Sequence, residues 1–248
     1  MEQLWAVQRE LSNEERMKHE EFVRQSMFRR VLHDEAPFYR RIIDKPEGYA
    51  GDAELMRIIY RNLFEGETPF GMFVHKQATA CLTGQALRNR REFLRGRIQQ
   101  VKQKGGGRIM SLAAGPAMEI QDVLVEDHSN NTLHFHAFDH DINTIRSVCR
   151  QCVDPRLSYV LGNAFHLIKG NYTVAIPRKT FLNYCNPRND FKGIRKALMP
   201  VKYRMMRLKR NDYDLIYSAG LYDYIKTFPD DPTKGTIALT KHAFELLQ

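Results

Sequence analysis

The chain has 248 residues, 43% apolar and 27% charged, the balance of an ordinary globular protein with enough chain for a substantial core. It has no run of 18 apolar residues, so no transmembrane segment is expected, and its polar opening MEQLWAVQRELSNEER lacks a signal-peptide core. Four scattered cysteines, Cys81, Cys149, Cys152 and Cys185, make no disulfide framework, so a reducing, cytoplasmic setting is expected. The formal charge is +9, and from Asn186 to Arg210 nine basic residues stand against one acid, Asp190. Such a local excess attracts anions without naming one. Within it Gly193 to Arg210 reads as an amphipathic basic helix kinked at Pro200, more commonly a solvated face over a buried stripe than a dock for an anionic carrier, a membrane surface or nucleic acid.

The first hundred residues read as helices. Ser12 and Glu15 have capping-box spacing before a helical stretch expected to run through Leu32. A short helix fits Pro37 to Ile43. Lys45-Pro46-Glu47-Gly48-Tyr49-Ala50-Gly51 is a turn-rich break, and Asp52 is placed to cap a helix carrying Leu55, Ile58, Ile59 and Leu63 on one face. Helical pattern resumes from Phe70 to about Thr83 and from Gln85 to Lys104. After Gly105-Gly106-Gly107 the texture changes. Strands are expected at Arg108–Ala113, Leu133–Phe138, Leu157–Leu161 and Tyr213–Tyr217, with helices at Met118–Glu126 and Ile142–Cys152. That alternation predicts an α/β fold with a parallel sheet in the strand order 3-2-1-4. The expected organisation is a helical region at 1–104 and an α/β domain at 105–248, with a basic insertion at about 166–211.

The strand ends carry the candidate chemistry. Ser111-Leu112-Ala113-Ala114-Gly115-Pro116-Ala117-Met118-Glu119 joins a strand to a helix through small residues, as close backbone approach to a nucleoside cofactor requires; a plain tight turn accounts for it about equally well. Asp139 ends the next strand about twenty residues beyond Gly115, where an acid accepts from ribose hydroxyls, while Asp141 is better placed to cap the following helix. One glycine instead of three favours a phosphate-free nucleoside such as S-adenosyl-L-methionine over a dinucleotide. Gly162-Asn163-Ala164 ends the third strand, where a polar side chain reaches an adenine amino group, although a strand-end turn explains Gly-Asn as well. Tyr217, Ser218, Ala219, Tyr222 and Asp223 lie at or beyond the end of the fourth. His134, His136 and His140 are read as packing and hydrogen-bonding residues and Cys149-x-x-Cys152 as a helix face, so no metal is expected.

SLAAGPAMEI, HFHAFDHD, LGNA and YDLIYSAGLYDYI, in that order, resemble the four cofactor segments of class I S-adenosylmethionine-dependent methyltransferases, whose Rossmann-like sheet is the expected fold. With KPEGYAGDAELM they are similar to a bacterial subfamily that includes enzymes proposed to make methyl esters of 3-hydroxy fatty acids as signals. The resemblance spans roughly Leu32 to Gln248. It implies a cofactor site of Ala113, Gly115, Pro116, Asp139, His140, Asn163, Ala164, Ser218 and Ala219, with a covering segment at Tyr49, Gly51 and Asp52. The catalytic candidates are Tyr217, Tyr222 and Asp223. Ser111 and Ala113 differ from the acid and glycine usual in that family, and the strands that normally follow the fourth strand's helix are expected to be missing.

The expected activity is O-methylation of a small-molecule or fatty-acyl carboxylate, the substrate carried on an anionic carrier if the basic segment is its dock. Nucleic-acid methylation, prompted by the charge, and a non-catalytic cofactor- or partner-binding fragment are the alternatives. Tyr213–Tyr217 reads as a sheet edge open to pairing, either with Tyr172–Ile176 or Thr180–Tyr184 of the insertion or with a second copy in a homodimer.

Overall fold

The structure is a computed structural model that describes residues 7, 9–49, 51–127, 132–169, 171–177, 203–221, 231 and 233–247. It divides into two compact units, Met1–Leu87 and Arg88–Gln248. The division falls inside one long helix, whereas the sequence boundary at 104 lies at that helix's end.

The first unit is helical, and each helix start has a local chemical reason. Ser12 opens α1 (Asn13–Gln25) with a complete capping box: its side chain accepts from the Glu15 amide and the Glu15 carboxylate accepts from the Ser12 amide. The helix does not run through to Leu32. Ser26 turns extended, and its hydroxyl accepts from the Arg29 amide, so a second helix, α2 (Met27–Glu35), starts there instead. α3 (Pro37–Asp44) follows with proline at its first position and ends at left-handed Lys45. Asp52 caps α4 (Ala53–Arg61), accepting from the Leu55 amide at 2.9 Å, and Asn62 ends that helix in the left-handed region. Leu63 therefore leaves the helix face expected for it. Thr68 caps α5 (Pro69–Ala80). α5 buries Gly71, His75 and Thr79, while Phe70 and Phe73 stay about half exposed. α6 (Leu82–Gln103) carries the chain across the division.

The second unit is α/β. Gly106 lies at φ +90, and a Cβ there would stand 2.3 Å from the Thr132 carbonyl oxygen, so the entry to the sheet needs glycine. Then come β1 (Gly107–Leu112), α7 (Met118–Glu126), β2 (Leu133–Asp139), α8 (Ile142–Gln151) and β3 (Leu157–Leu161). α9 (Ala164–Ile168), β4 (Thr173–Pro177), β5 (Tyr203–Arg207), β6 (Leu215–Ser218) and α10 (Gly235–Leu246) complete it. They build a six-stranded mixed sheet in the order β5-β4-β3-β2-β1-β6, in which β3, β2, β1 and β6 are parallel.

Alternate residues of the parallel strands face two apolar layers, as the two-residue strand period dictates. Ile109, Phe135, Ala137, Leu157 and Tyr159 pack with Leu94 and Ile98 of α6, Ile120 and Val123 of α7, and Ile145 and Val148 of α8. Met110, Leu112, Phe138 and Val160 pack with Ala164 and Leu167 of α9 and with Ala238, Leu239 and Leu246 of α10.

The insertion corrects two expectations: Tyr203–Arg207, inside the stretch expected to be a basic amphipathic helix, is strand β5, and the insertion's first β-like run does not join the fourth parallel strand. Its first β-like run, β4, pairs antiparallel with β3 and β5 at the opposite side of the sheet from β6. The chain reaches that side directly, because β4 follows β3 after one short helix. The second expected run, Thr180–Tyr184, lies outside the described residues. The fourth parallel strand starts at Leu215 and not at Tyr213, which instead bridges Leu247 just past α10.

Candidate functional site

The carboxyl ends of β1, β2 and β3 are stitched together by backbone and side-chain hydrogen bonds. Beyond β1, Ala113, Gly115 and Ala117 all take left-handed φ, at 52, 52 and 47. For the two alanines this strains the backbone by roughly 1–2 kcal/mol each. The Ala114 amide donates to the Phe138 carbonyl at 2.9 Å and the Ala117 amide to the Ala114 carbonyl at 2.9 Å, which holds the turn. A Cβ on Gly115 would meet nothing within 4 Å, so the space beside this backbone is open. Ala117 supplies no side-chain cap, so the first amides of α7 have no capping side chain at the N-cap position.

Asp139 closes the arrangement. It is 6% exposed, yet both carboxylate oxygens have partners: Oδ2 accepts from the Gly115 amide at 2.9 Å and Oδ1 from the Asp141 amide at 3.0 Å. His140 Nδ1 lies 3.4 Å from Oδ1, and this carboxylate raises the His140 imidazole above its ordinary value. Asp141 caps α8, accepting from the Asn143 and Thr144 amides at 2.9 Å. On the other side, the Gly162 amide donates to the Asp139 carbonyl at 2.9 Å. Asn163 then caps α9 by accepting from the Phe165 amide at 2.8 Å, and Ala164 is buried.

At the end of β6, Tyr217 donates its hydroxyl to Oε1 of Glu119 at 2.8 Å. Glu119 is 2% exposed in the first turn of α7, and burial pushes its carboxyl above the ordinary range. Glu119 closes the 111–119 motif, in which no separate role is expected for it. Its signal was an acid four residues before Val123, on the face of α7 that is otherwise apolar. Ser111, in register with Ala137 and Tyr217, is also buried, and its hydroxyl has no hydrogen-bond partner among the described residues. Ser218 accepts from the Leu221 amide at 3.3 Å, with Ala219 partly buried beside it. Tyr222 and Asp223 lie outside the described residues, as does the basic run up to Lys202.

Tyr49, Gly51 and Asp52 belong to the first unit. Asp52 is 1% exposed, and Arg41 binds its carboxylate through Nε and Nη2, both at 2.8 Å from Oδ2. Asp52 thus fixes the end of the 45–52 turn to α3 as well as capping α4. Elsewhere, His136 Nδ1 lies 2.6 Å from the Tyr213 hydroxyl, and burial and the Arg108 charge push its imidazole down to about 4. Cys149 is buried on α8 and Cys152 follows its end.

The second unit is therefore an α/β structure whose small-residue turn, buried acid and capped asparagine meet at one end of three parallel strands. No protein-family model, curated protein or solved structure matches the chain. Among the described residues, no helix is long and apolar enough to cross a membrane.

Proposed function

We propose that the chain is an S-adenosylmethionine-dependent methyltransferase with a Rossmann-like sheet, acting on the carboxylate oxygen of a small-molecule or fatty-acyl substrate. The observation that carries this reading is the contact of Asp139 with the Gly115 amide. It joins the two features that a nucleoside site needs, an acid for ribose hydroxyls and a small-residue turn over which the ligand lies.

The residues fit such a cofactor. Each Asp139 oxygen takes one backbone amide, which leaves lone pairs for the two ribose hydroxyls. Open space beside Gly115 admits a ligand against the backbone, and the orphaned Ser111 hydroxyl offers a further polar contact. Asn163 and Ala164 are the residues proposed for the adenine, with Ala113, Pro116, His140, Ser218 and Ala219 around them. When bound, the cofactor would supply an electrophilic methyl on a sulfonium, and a carboxylate oxygen is nucleophilic enough to need no strong base from the protein. The protein's work would then be to position and desolvate the two partners. Tyr217, bonded to Glu119, holds the end of β6 to the start of α7. Tyr222 and Asp223 remain the proposed substrate-side polar groups.

The test is transfer of labelled methyl from S-adenosylmethionine to a panel of carboxylic acids that includes 3-hydroxy fatty acids. A base-labile labelled ester is expected. Label appearing in RNA or DNA instead, or in nothing offered, would overturn the substrate class.

A further inference from the structure

α3 begins without a cap of its own. Ala36, at the N-cap position, has no side-chain acceptor, and Pro37 has no amide hydrogen to give. The first amide that needs an acceptor is that of Phe38, and it donates to Nδ1 of His75 on α5, 3.3 Å away. The approach depends on Gly71, one turn earlier in α5: a Cβ there would stand 2.5 Å from the Glu35 carbonyl oxygen, at the end of α2 just before α3. His75 is fully buried, and its ring stands edge-on to the Phe38 ring. Since Nδ1 accepts, Nε2 carries the hydrogen, and Nε2 has no partner among the described residues.

We infer that His75 is the N-cap of α3, supplied from another helix, and that it works as an acid-sensitive latch that holds the start of α3 only while its ring is neutral. A second proton would sit on Nδ1 and turn the acceptor into a donor facing the Phe38 donor. It would also place a charge in a fully buried site, which burial already resists by holding the imidazole below its ordinary 6.5. Glu65, before α5, favours the charged ring, and Lys76, next to it on α5, opposes it. Four further charged groups of the packed helices are engaged with partners other than His75: Glu35 of α2 with Thr68, Arg40 of α3 with the His33 carbonyl, Arg41 with Asp52, and Arg57 of α4 with Glu54.

The far end of α3 responds with the opposite sign. His33 bridges Asp34 at 2.9 Å and Asp44 at 2.8 Å, and these carboxylates raise its imidazole. Acid therefore strengthens the hold on Asp44 while it frees Phe38, so α3 is released at its start and kept at its end. The device stands on the geometry of the first unit and is independent of the methyltransferase reading.

Amide exchange of Phe38, corrected for intrinsic rate, tests it on the full chain between pH 7.5 and 5, with nitrogen NMR of the His75 ring as a parallel readout. The ring should be the neutral Nε2–H form at pH 7.5. Phe38 protection should fall below about pH 6.5, where the released ring takes a proton and the buried one does not, by up to about tenfold per pH unit, the limit for one coupled proton. His75→Asn, which keeps a non-titrating acceptor near the Nδ1 position, should flatten that dependence, and amides of α4, in the same unit, serve as the control for unfolding of that unit. A neutral Nδ1–H ring at pH 7.5, or Phe38 protection that stays unchanged between pH 6.5 and 5, would overturn the latch even if the variant failed to fold.

Discussion

Asp139 in the α/β unit and His75 in the helical unit are both almost sealed from water, but they are satisfied very differently. Each Asp139 oxygen accepts a backbone amide at 2.9–3.0 Å, while His75 has one long bond at 3.3 Å and a second nitrogen with no partner among the described residues. A buried polar group with full partners rigidifies its surroundings; one with half its partners is where a fold yields first. The difference places rigidity at the strand ends and proton sensitivity at the start of α3.

The largest expected effect comes from breaking the best-satisfied group. Arg156 is 8% exposed and donates to the Asp127 carboxylate at 3.0 Å, the Leu124 carbonyl at 3.0 Å and Asp154. Arg156→Met should destabilise the second unit by about 3 kcal/mol, the low end for a broken buried pair, because Lys102 still holds Asp127 at 2.7 Å. Urea unfolding followed on that unit measures it. Next comes acid. His136 keeps its proton off down to about 4, whereas an unfolded histidine takes one near 6.5. Below 6.5 the unfolded state binds more protons, so stability should fall by about 2–3 kcal/mol in all between pH 6.5 and 4, and His136→Gln should remove most of that slope. Asp139→Ala should destabilise by about 2 kcal/mol, because it strands the Gly115 and Asp141 amides. Exchange at Gly115 and Asp141 should quicken in that variant before any global loss. The smallest effect is Asp141→Ala, which removes the cap of α8 and should lower the unfolding free energy by about 1 kcal/mol.

Most parallel strands and α3 itself were legible in the sequence, whereas the contact from α5 that holds the start of α3 was not. Met118–Glu126 and Leu157–Leu161 were predicted at the bounds observed, because apolar periodicity and adjacent turn residues mark such elements directly. The caps at Ser12, Asp52 and Asp141 were legible for the same local reason. The placement of β4 was not, since which edge a strand joins depends on chain reach and not on its own residues. Glu119 lay in the 111–119 motif without a role, and His75 went unremarked, because what a single acid or histidine bonds to depends on the element that packs against its helix. α5 conceals His75 further by burying Gly71, His75 and Thr79 while Phe70 and Phe73 stay outside, the reverse of the usual pattern.

The central claim is that the Gly115–Asp139 strand ends hold a nucleoside cofactor, and calorimetric titration of the full chain with S-adenosylmethionine and S-adenosylhomocysteine tests it most directly. Both should bind at a single site. Asp139→Ala should weaken them by about tenfold or more, as loss of a charge-assisted hydrogen bond worth roughly 1.5–3 kcal/mol requires. Asp139→Asn, which keeps one carbonyl acceptor, should fall between the two. No heat of binding to the parent chain, or equal affinity in Asp139→Ala, would contradict the assignment.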